Sequence, residues 1–309
     1  MNQTFSKFPL VEYGLTLSDG SAWCLSGVNG PSAWVDRLAT IMELKESRLN
    51  GSPKLIFSST AEVHRTRNKG TSCVPARLNL WGRSTGWRVD DPASVNVWST
   101  ESIPDVLCEM THPNRLEEIQ YLNMWYTLLP IYQRSVTLGG LPFHGGLVEL
   151  NGQGVLLAAS SDKGKTTCCS RLPKYWQPLC DDETLVVLDA QKKYQAHPFP
   201  TWSEYLLKRS QKTWNVQYSV PLAAIFFLEQ SETDEIEPLG EGQAAVLLTE
   251  SAVQIYEKFF IHTDKKDQRQ FREVFFNNAC RMAKEIPSYR LHVSLNGRFW
   301  EKIEETLEF

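Results

Sequence analysis

The sequence predicts an α/β protein, on three observations. Strand, turn, strand, loop, helix and strand follow one another within residues 147–188. Apolar runs of strand length (155–159, 221–228) alternate with segments whose apolar residues recur every three to four positions, as in amphipathic helices. Of the 309 residues, 42% are hydrophobic and 22% charged, with only 18 Gly and 16 Pro, which excludes a disordered or fibrous chain. The length suits two domains.

The elements of residues 1–112 form a smaller N-terminal α/β domain. Strands are expected at 8–17, 22–25 and 53–58, and a helix at 33–46 with Ser32 as its N-cap. A loop at 64–70 carries Arg65, Arg67 and Lys69, ordinarily a solvated face and alternatively a contact for a partner. Leu116, Ile119, Leu122, Trp125, Tyr126 and Leu129 then recur at helical spacing, with Asn114 as a cap and Pro130 as the stop. This connecting helix occupies 113–135 and packs its aromatic stripe into a core. Residues 136–309 form the second domain. Its later elements are a strand at 221–228, an acidic turn at 229–237, helices at 243–251 and 268–284, a strand at 288–295 and a last helix at 298–307.

Composition narrows the function. The formal net charge of −4 gives no basic excess for a nucleic-acid or anionic-membrane partner. The longest apolar stretches, such as 222–228, fall far short of a membrane span. Residues 1–10 lack the basic and apolar regions of a secretory signal. The seven cysteines (24, 73, 108, 168, 169, 180, 280) are odd in number and contain no CxxC pair, as in a reduced cytoplasmic protein.

The chemistry concentrates after the hairpin turn Asn151-Gly152-Gln153-Gly154. The eight residues Ala159, Ser160, Ser161, Asp162, Lys163, Gly164, Lys165 and Thr166 fit the phosphate-binding pattern GxxxxGK[ST], except that Ala159 replaces the first glycine; Thr167 follows. A glycine there lets main-chain N–H groups close on phosphate oxygens at a helix start. Lys165 places a charge on the β- and γ-phosphates, and Thr166 offers a hydroxyl to Mg²⁺. Asp162 is unfavourable near phosphates unless it points away, and Lys163 offsets it. Next comes Asp181-Asp182-Glu183. Such a run is ordinarily an exposed turn, but behind a phosphate loop it can hold Mg²⁺ and accept a proton. His144 precedes the strand that pairs with the loop strand, where it can reach a γ-phosphate or tune a neighbouring Asp.

The order His144-Gly145, hairpin 151–154, loop 159–166 and Asp181-Asp182 resembles the C-terminal domain of the HPr kinase/phosphorylase family. The 21 residues from His144 to Lys165 are also that family's spacing. GKTT followed by DDE is similar to phosphoenolpyruvate carboxykinase, a relative of the same fold. PLAAIFFLEQ, the helix at 243–251 and RLHVSLNGRFWEKI look like HPr kinase-related proteins that occur beside peptide-maturation machinery. The resemblance covers 136–309 and implies a P-loop kinase domain on a mixed sheet, with ATP and Mg²⁺ as cofactors. It makes Asp182 the proton acceptor, Asp181 its supporting carboxylate and His144 the residue beside the reacting phosphate. It also implies a tendency to form homo-oligomers.

Two departures stand out. Ala159 breaks the loop pattern, and the family's second motif, with its metal-binding Glu, is missing; Glu204 within HPFPTWSEY is the one candidate near its place. The phosphorylase activity therefore does not carry over. The expectation is phosphoryl transfer from ATP to a hydroxyl, on a Ser of a peptide or small protein. The alternatives are a small-molecule kinase acting on an amino acid or sugar, and a non-catalytic nucleotide- or peptide-binding module.

Overall fold

The computed structural model describes residues 11–27, 32–47, 49–59, 95–100, 103–110, 117–159, 164–208, 210–260 and 265–309. The basic loop at 64–70, Cys73, Asn114 and loop residues 160–163 lie outside these. The protein is mixed α/β with two sheets. It divides into one unit of Met1–Thr16 with Ala22–Thr127, and a second of Leu17–Ser21 with Leu128–Phe309.

In the first unit, strands β1 (Glu12–Thr16), β2 (Ala22–Gly27), β3 (Lys45–Glu46), β4 (Lys54–Ser59), β5 (Val95–Thr100) and β6 (Ile103–Met110) form a sheet in the order β3-β1-β2-β4-β6-β5. β2, β4 and β6 run parallel. Helix α1 (Ser32–Ile41) is shorter than the predicted 33–46. Glu43 adopts a left-handed φ of 51°, Glu43 N–H reaches Thr40 O, and Leu44 N–H reaches Ala39 O at 2.8 Å. That pair of bonds ends a helix and turns the chain, so Lys45–Glu46 becomes a strand against β1. Helix α2 (Glu117–Tyr126) closes the unit.

The apolar period from 116 to 129 predicted one helix, but the structure has two. Thr127 Oγ1 bonds back to Met124 O at 2.7 Å, and α3 (Leu129–Thr137) starts afresh. Pro130 sits in the first turn of α3, where its missing N–H costs nothing, so it opens a helix instead of closing one.

The second unit is built on β7 (Leu141–Leu150), β8 (Gln153–Ala158), β9 (Gln177–Cys180), β10 (Glu183–Leu188), β11 (Tyr194–Phe199), β12 (Val220–Gln230), β13 (Glu235–Pro238) and β14 (Ser288–Val293). Their order is β11-β10-β7-β8-β12-β14-β13, with β9 also on β7. β8, β12 and β14 are parallel. The sheet curls so that β11 also pairs the start of β12. The 229–237 region, predicted as a turn, yields β13 because residues 235–238 pair antiparallel with β14. Strands β9 and β11 were not anticipated.

Alternate residues of each strand face opposite ways. Val155 and Leu157 of β8 and Ala224, Phe226 and Leu228 of β12 join a core with Cys168 and Cys169 of α4 (Lys165–Arg171) and Phe299 and Ile303 of α8 (Phe299–Leu307). Helices α6 (Glu241–Phe260) and α7 (Lys265–Glu285) pack on each other and on β7. Tyr256, Phe271 and Phe275 are fully buried there, with the Tyr256 and Phe275 rings 4.8 Å apart. Asn278 of α7 donates to Val136 O at 2.8 Å and Gly140 O at 3.0 Å, satisfying carbonyls at the end of α3.

No helix among the described residues is long and apolar enough to cross a membrane. The described cysteines are all free thiols. Burial pushes Cys180 up to about 11 and Cys169 further, with neighbouring Cys180 and Asp181 adding to the effect on Cys169.

Candidate functional site

β8 is wholly apolar from Val155 to Ala158, and the chain leaves its carboxyl end at Ala159. The description resumes at Gly164, which sits at the head of α4 with φ 94° and ψ 21°. A Cβ on Gly164 would meet no atom within 4 Å, so the backbone angle and not crowding selects glycine. Lys165 is only 7% exposed, and its Nζ donates to Ala159 O at 3.0 Å, closing the loop between its first and seventh positions. Thr166 and Thr167 are exposed on the first turn of α4. Ala159, the departure from the glycine pattern, packs against the core beneath β8. Ser160, Ser161, Asp162 and Lys163 fall outside the described residues.

Asp181 and Asp182 form the bend between β9 and β10, both of which pair with β7. Cys180 lies opposite Leu147 and Glu183 opposite His144, so the two aspartates stand against Gly145-Gly146. Gly146 makes room for Asp181, and Gly145 for β8. A Cβ on Gly146 would come within 2.8 Å of Cys169 Sγ and 3.3 Å of Asp181 Cα. That contact also shows α4 and Asp181 meeting across Gly146. Thr184 Oγ1 donates to Gly145 O at 2.9 Å, and Cys180 Sγ donates to Glu183 O at 3.1 Å, which clamps the bend from both sides.

The two carboxylates differ. Asp181 is 7% exposed and accepts a 2.6 Å bond from Thr201 Oγ1. Asp182 is half-buried, and its Oδ1 lies 2.9 Å from His144 Nε2. His144 lies inside β7, not ahead of it, and pairs with Glu183. Its Nδ1 is 2.9 Å from Gln254 Oε1 on α6. With Asp182 ionised, the ring donates from Nε2 to the carboxylate. A protonated ring also donates to Gln254 Oε1, and a neutral ring requires the Gln254 amide to turn over and donate to Nδ1. In both arrangements Asp182 Oδ1 is fixed by an N–H, and the carboxylate is aimed.

The structure therefore brings together His144, Asp181 and Asp182, and sets Cys169 of α4, one turn beyond the phosphate-binding pattern, beside Asp181. Thr201 and Gln254 are additions that the sequence did not reveal. Glu204, expected as a substitute acid, sits in the first turn of α5 (Trp202–Lys208), while Thr201 just before that helix is the residue that reaches Asp181. His197, from the same segment, is sealed elsewhere. Its Nδ1 donates to Val216 O at 2.9 Å and its Nε2 accepts from Ser18 N–H at 3.2 Å. Burial holds its pKa down to about 4. Among the described residues no three His, Cys, Asp or Glu side chains form a metal-binding group. Thr166, Asp181 and Asp182 are hard oxygen donors of the type Mg²⁺ takes.

None of the curated proteins compared with the chain matches it. The family model described as SynChlorMet cassette protein ScmC matches residues 106–308, a span that contains His144, Lys165, both aspartates, Thr201 and Gln254. That span is about two thirds of the sequence, and the chain belongs to the ScmC family.

Proposed function

We propose that the protein is a P-loop kinase that transfers the γ-phosphoryl group of ATP, with Mg²⁺, to a hydroxyl, on a Ser of a peptide or small protein. The carrying observation is the Gln254–His144–Asp182 chain, two 2.9 Å contacts that aim one carboxylate beside the residue packed against α4. An acidic turn without chemistry needs no such support. Membership of a cassette family is compatible with a peptide substrate.

In this mechanism the main chain from Gly164 to Thr167 and the Lys165 ammonium bind the phosphates, and Ser160, Ser161, Asp162 and Lys163 complete the loop. Thr166, Asp181 and Asp182 would hold Mg²⁺, which when bound screens phosphate charge. Asp181 stays in place through Thr201. Asp182 accepts the proton of the acceptor hydroxyl while His144 holds its Oδ1. The hydroxyl oxygen bonds to the γ-phosphorus, the bond to the β-phosphate oxygen breaks, and ADP departs with that electron pair. Catalysis then consists of positioning and electrostatics.

Transfer of labelled γ-phosphate tests the proposal, with Ser-containing peptides and free serine offered side by side. Turnover on peptide and its loss in Lys165→Ala are expected. Full activity in purified Lys165→Ala would overturn the site assignment, and turnover on free serine alone would make this a small-molecule kinase.

A further inference from the structure

A cavity of about 560 Å³ lies at the carboxyl ends of β8 and β12, walled by α6 and by Arg290 of β14. We infer that it receives the nucleoside end of the nucleotide, an inference that rests on the phosphate-loop reading above.

The sheet order is the first reason. β7, with His144 and the flanking aspartates, lies on one side of β8, and β12 and β14 lie on the other. The loop leaves β8 between them. A triphosphate on this loop with its terminal phosphoryl group at Asp182 has its nucleoside on the β12 side, where the cavity is. Ligands of open α/β sheets bind beyond the carboxyl ends of the strands.

The lining is the second reason. Phe227, Leu228 and Leu247 give apolar surface for the faces of a base and ribose. Ser251 is 6% exposed, lines the cavity, and its Oγ has no hydrogen-bond partner among the described residues. A buried hydroxyl left unpaired is costly, and a ligand's polar edge removes that cost. The Arg290 guanidinium is fixed by Glu229 at 3.1 Å, which gives it a set plane at the wall. The volume lies within the range of about 300–1,000 Å³ that small-molecule sites occupy.

Gln254 belongs to both places. Its side chain borders the cavity and its amide oxygen meets His144 Nδ1. A nucleoside in the cavity therefore touches the residue that orients the His144–Asp182 pair.

The test uses the full chain, Mg²⁺ and two probes, ATP and inorganic tripolyphosphate, titrated by calorimetry. ATP binds more tightly than tripolyphosphate, and Ser251→Leu, which fills the cavity, weakens ATP by roughly tenfold or more while tripolyphosphate is unchanged. A second measurement needs no variant: photolabelling with 8-azido-ATP places the adduct on peptides containing residues 227–230 or 247–254. Equal affinity for the two probes, equal change of both in Ser251→Leu, or label elsewhere overturns the cavity assignment. Failure of the phosphate-loop reading looks different, because tripolyphosphate then binds Lys165→Ala as well as it binds the unmodified chain.

Discussion

The two units use similar sheets for different ends. In the first, polar groups pair two by two within the sheet. Asn96 Nδ2 donates to Glu109 Oε2 at 3.2 Å across the β5–β6 pair, only 13 residues apart. Lys54 meets Glu12 at 2.7 Å within the same sheet. In the second, polar groups from β7, the bend between β9 and β10, α6 and the residue before α5 converge on one place. His144 meets Asp182 over a separation of 38 residues and Gln254 over 110, and Thr201 meets Asp181 over 20. Polar pairs of the first kind hold a sheet together. The second kind aims side chains, at the cost of fixing several elements around a tightly packed Gly146.

The contrast is sharpest in turnover. Asp182→Asn should lower phosphoryl transfer by about 10²–10⁴-fold, the usual contribution of a positioned acid or base. Glu109→Gln in the first unit should alter stability and leave turnover per folded molecule unchanged. Equal losses in the two variants would erase the distinction.

Within the second unit, His197 separates packing from chemistry. Its folded pKa of about 4 lies below the ordinary 6.5 because burial disfavours the charged ring. The unfolded chain then binds a proton between these values that the folded chain refuses. Stability from His197 is complete above pH 6.5 and falls as pH drops towards 4, by about 3 kcal/mol. Chemical denaturation across that window should show a slope that flattens in His197→Gln, with loop-directed ligand binding at neutral pH unaltered.

Smaller effects come from the glycines. Gly146→Ala should destabilise by about 1–3 kcal/mol, since its methyl would drive Cys169 and Asp181 apart. Thermal melts measure this, and an unchanged melting temperature would remove the reason given for Gly146. Gly164→Ala meets no atom and should cost only the left-handed backbone, about 1–2 kcal/mol.

Much of this was legible from sequence where the signal is local. The apolar run before the loop, the turn at Asn151-Gly152 and the periodic helices correspond to observed elements because each follows from short-range preference. Asn151 and Gly152 both take positive φ, as the hairpin requires. Pro130 misled because a proline fits both just past a helix end and in a helix's first turn, and here it takes the second place. Strands β9 and β11 were missed because their sequences, QPLC and YQAHPF, carry proline and no clean alternation; pairing with β7 and β10 makes them strands. His144 and the aspartates were visible by residue type and order. Gln254 and Thr201 were not, since a glutamine on a helix and a threonine after a proline carry no signal until the fold brings them to their partners.

Calorimetric titration of Mg²⁺-ATP into the full chain tests the central claim most directly. The account predicts saturable binding that is weakened without Mg²⁺ and lost in Lys165→Ala. Binding of equal strength in Lys165→Ala, or no binding to the unmodified chain, would contradict it.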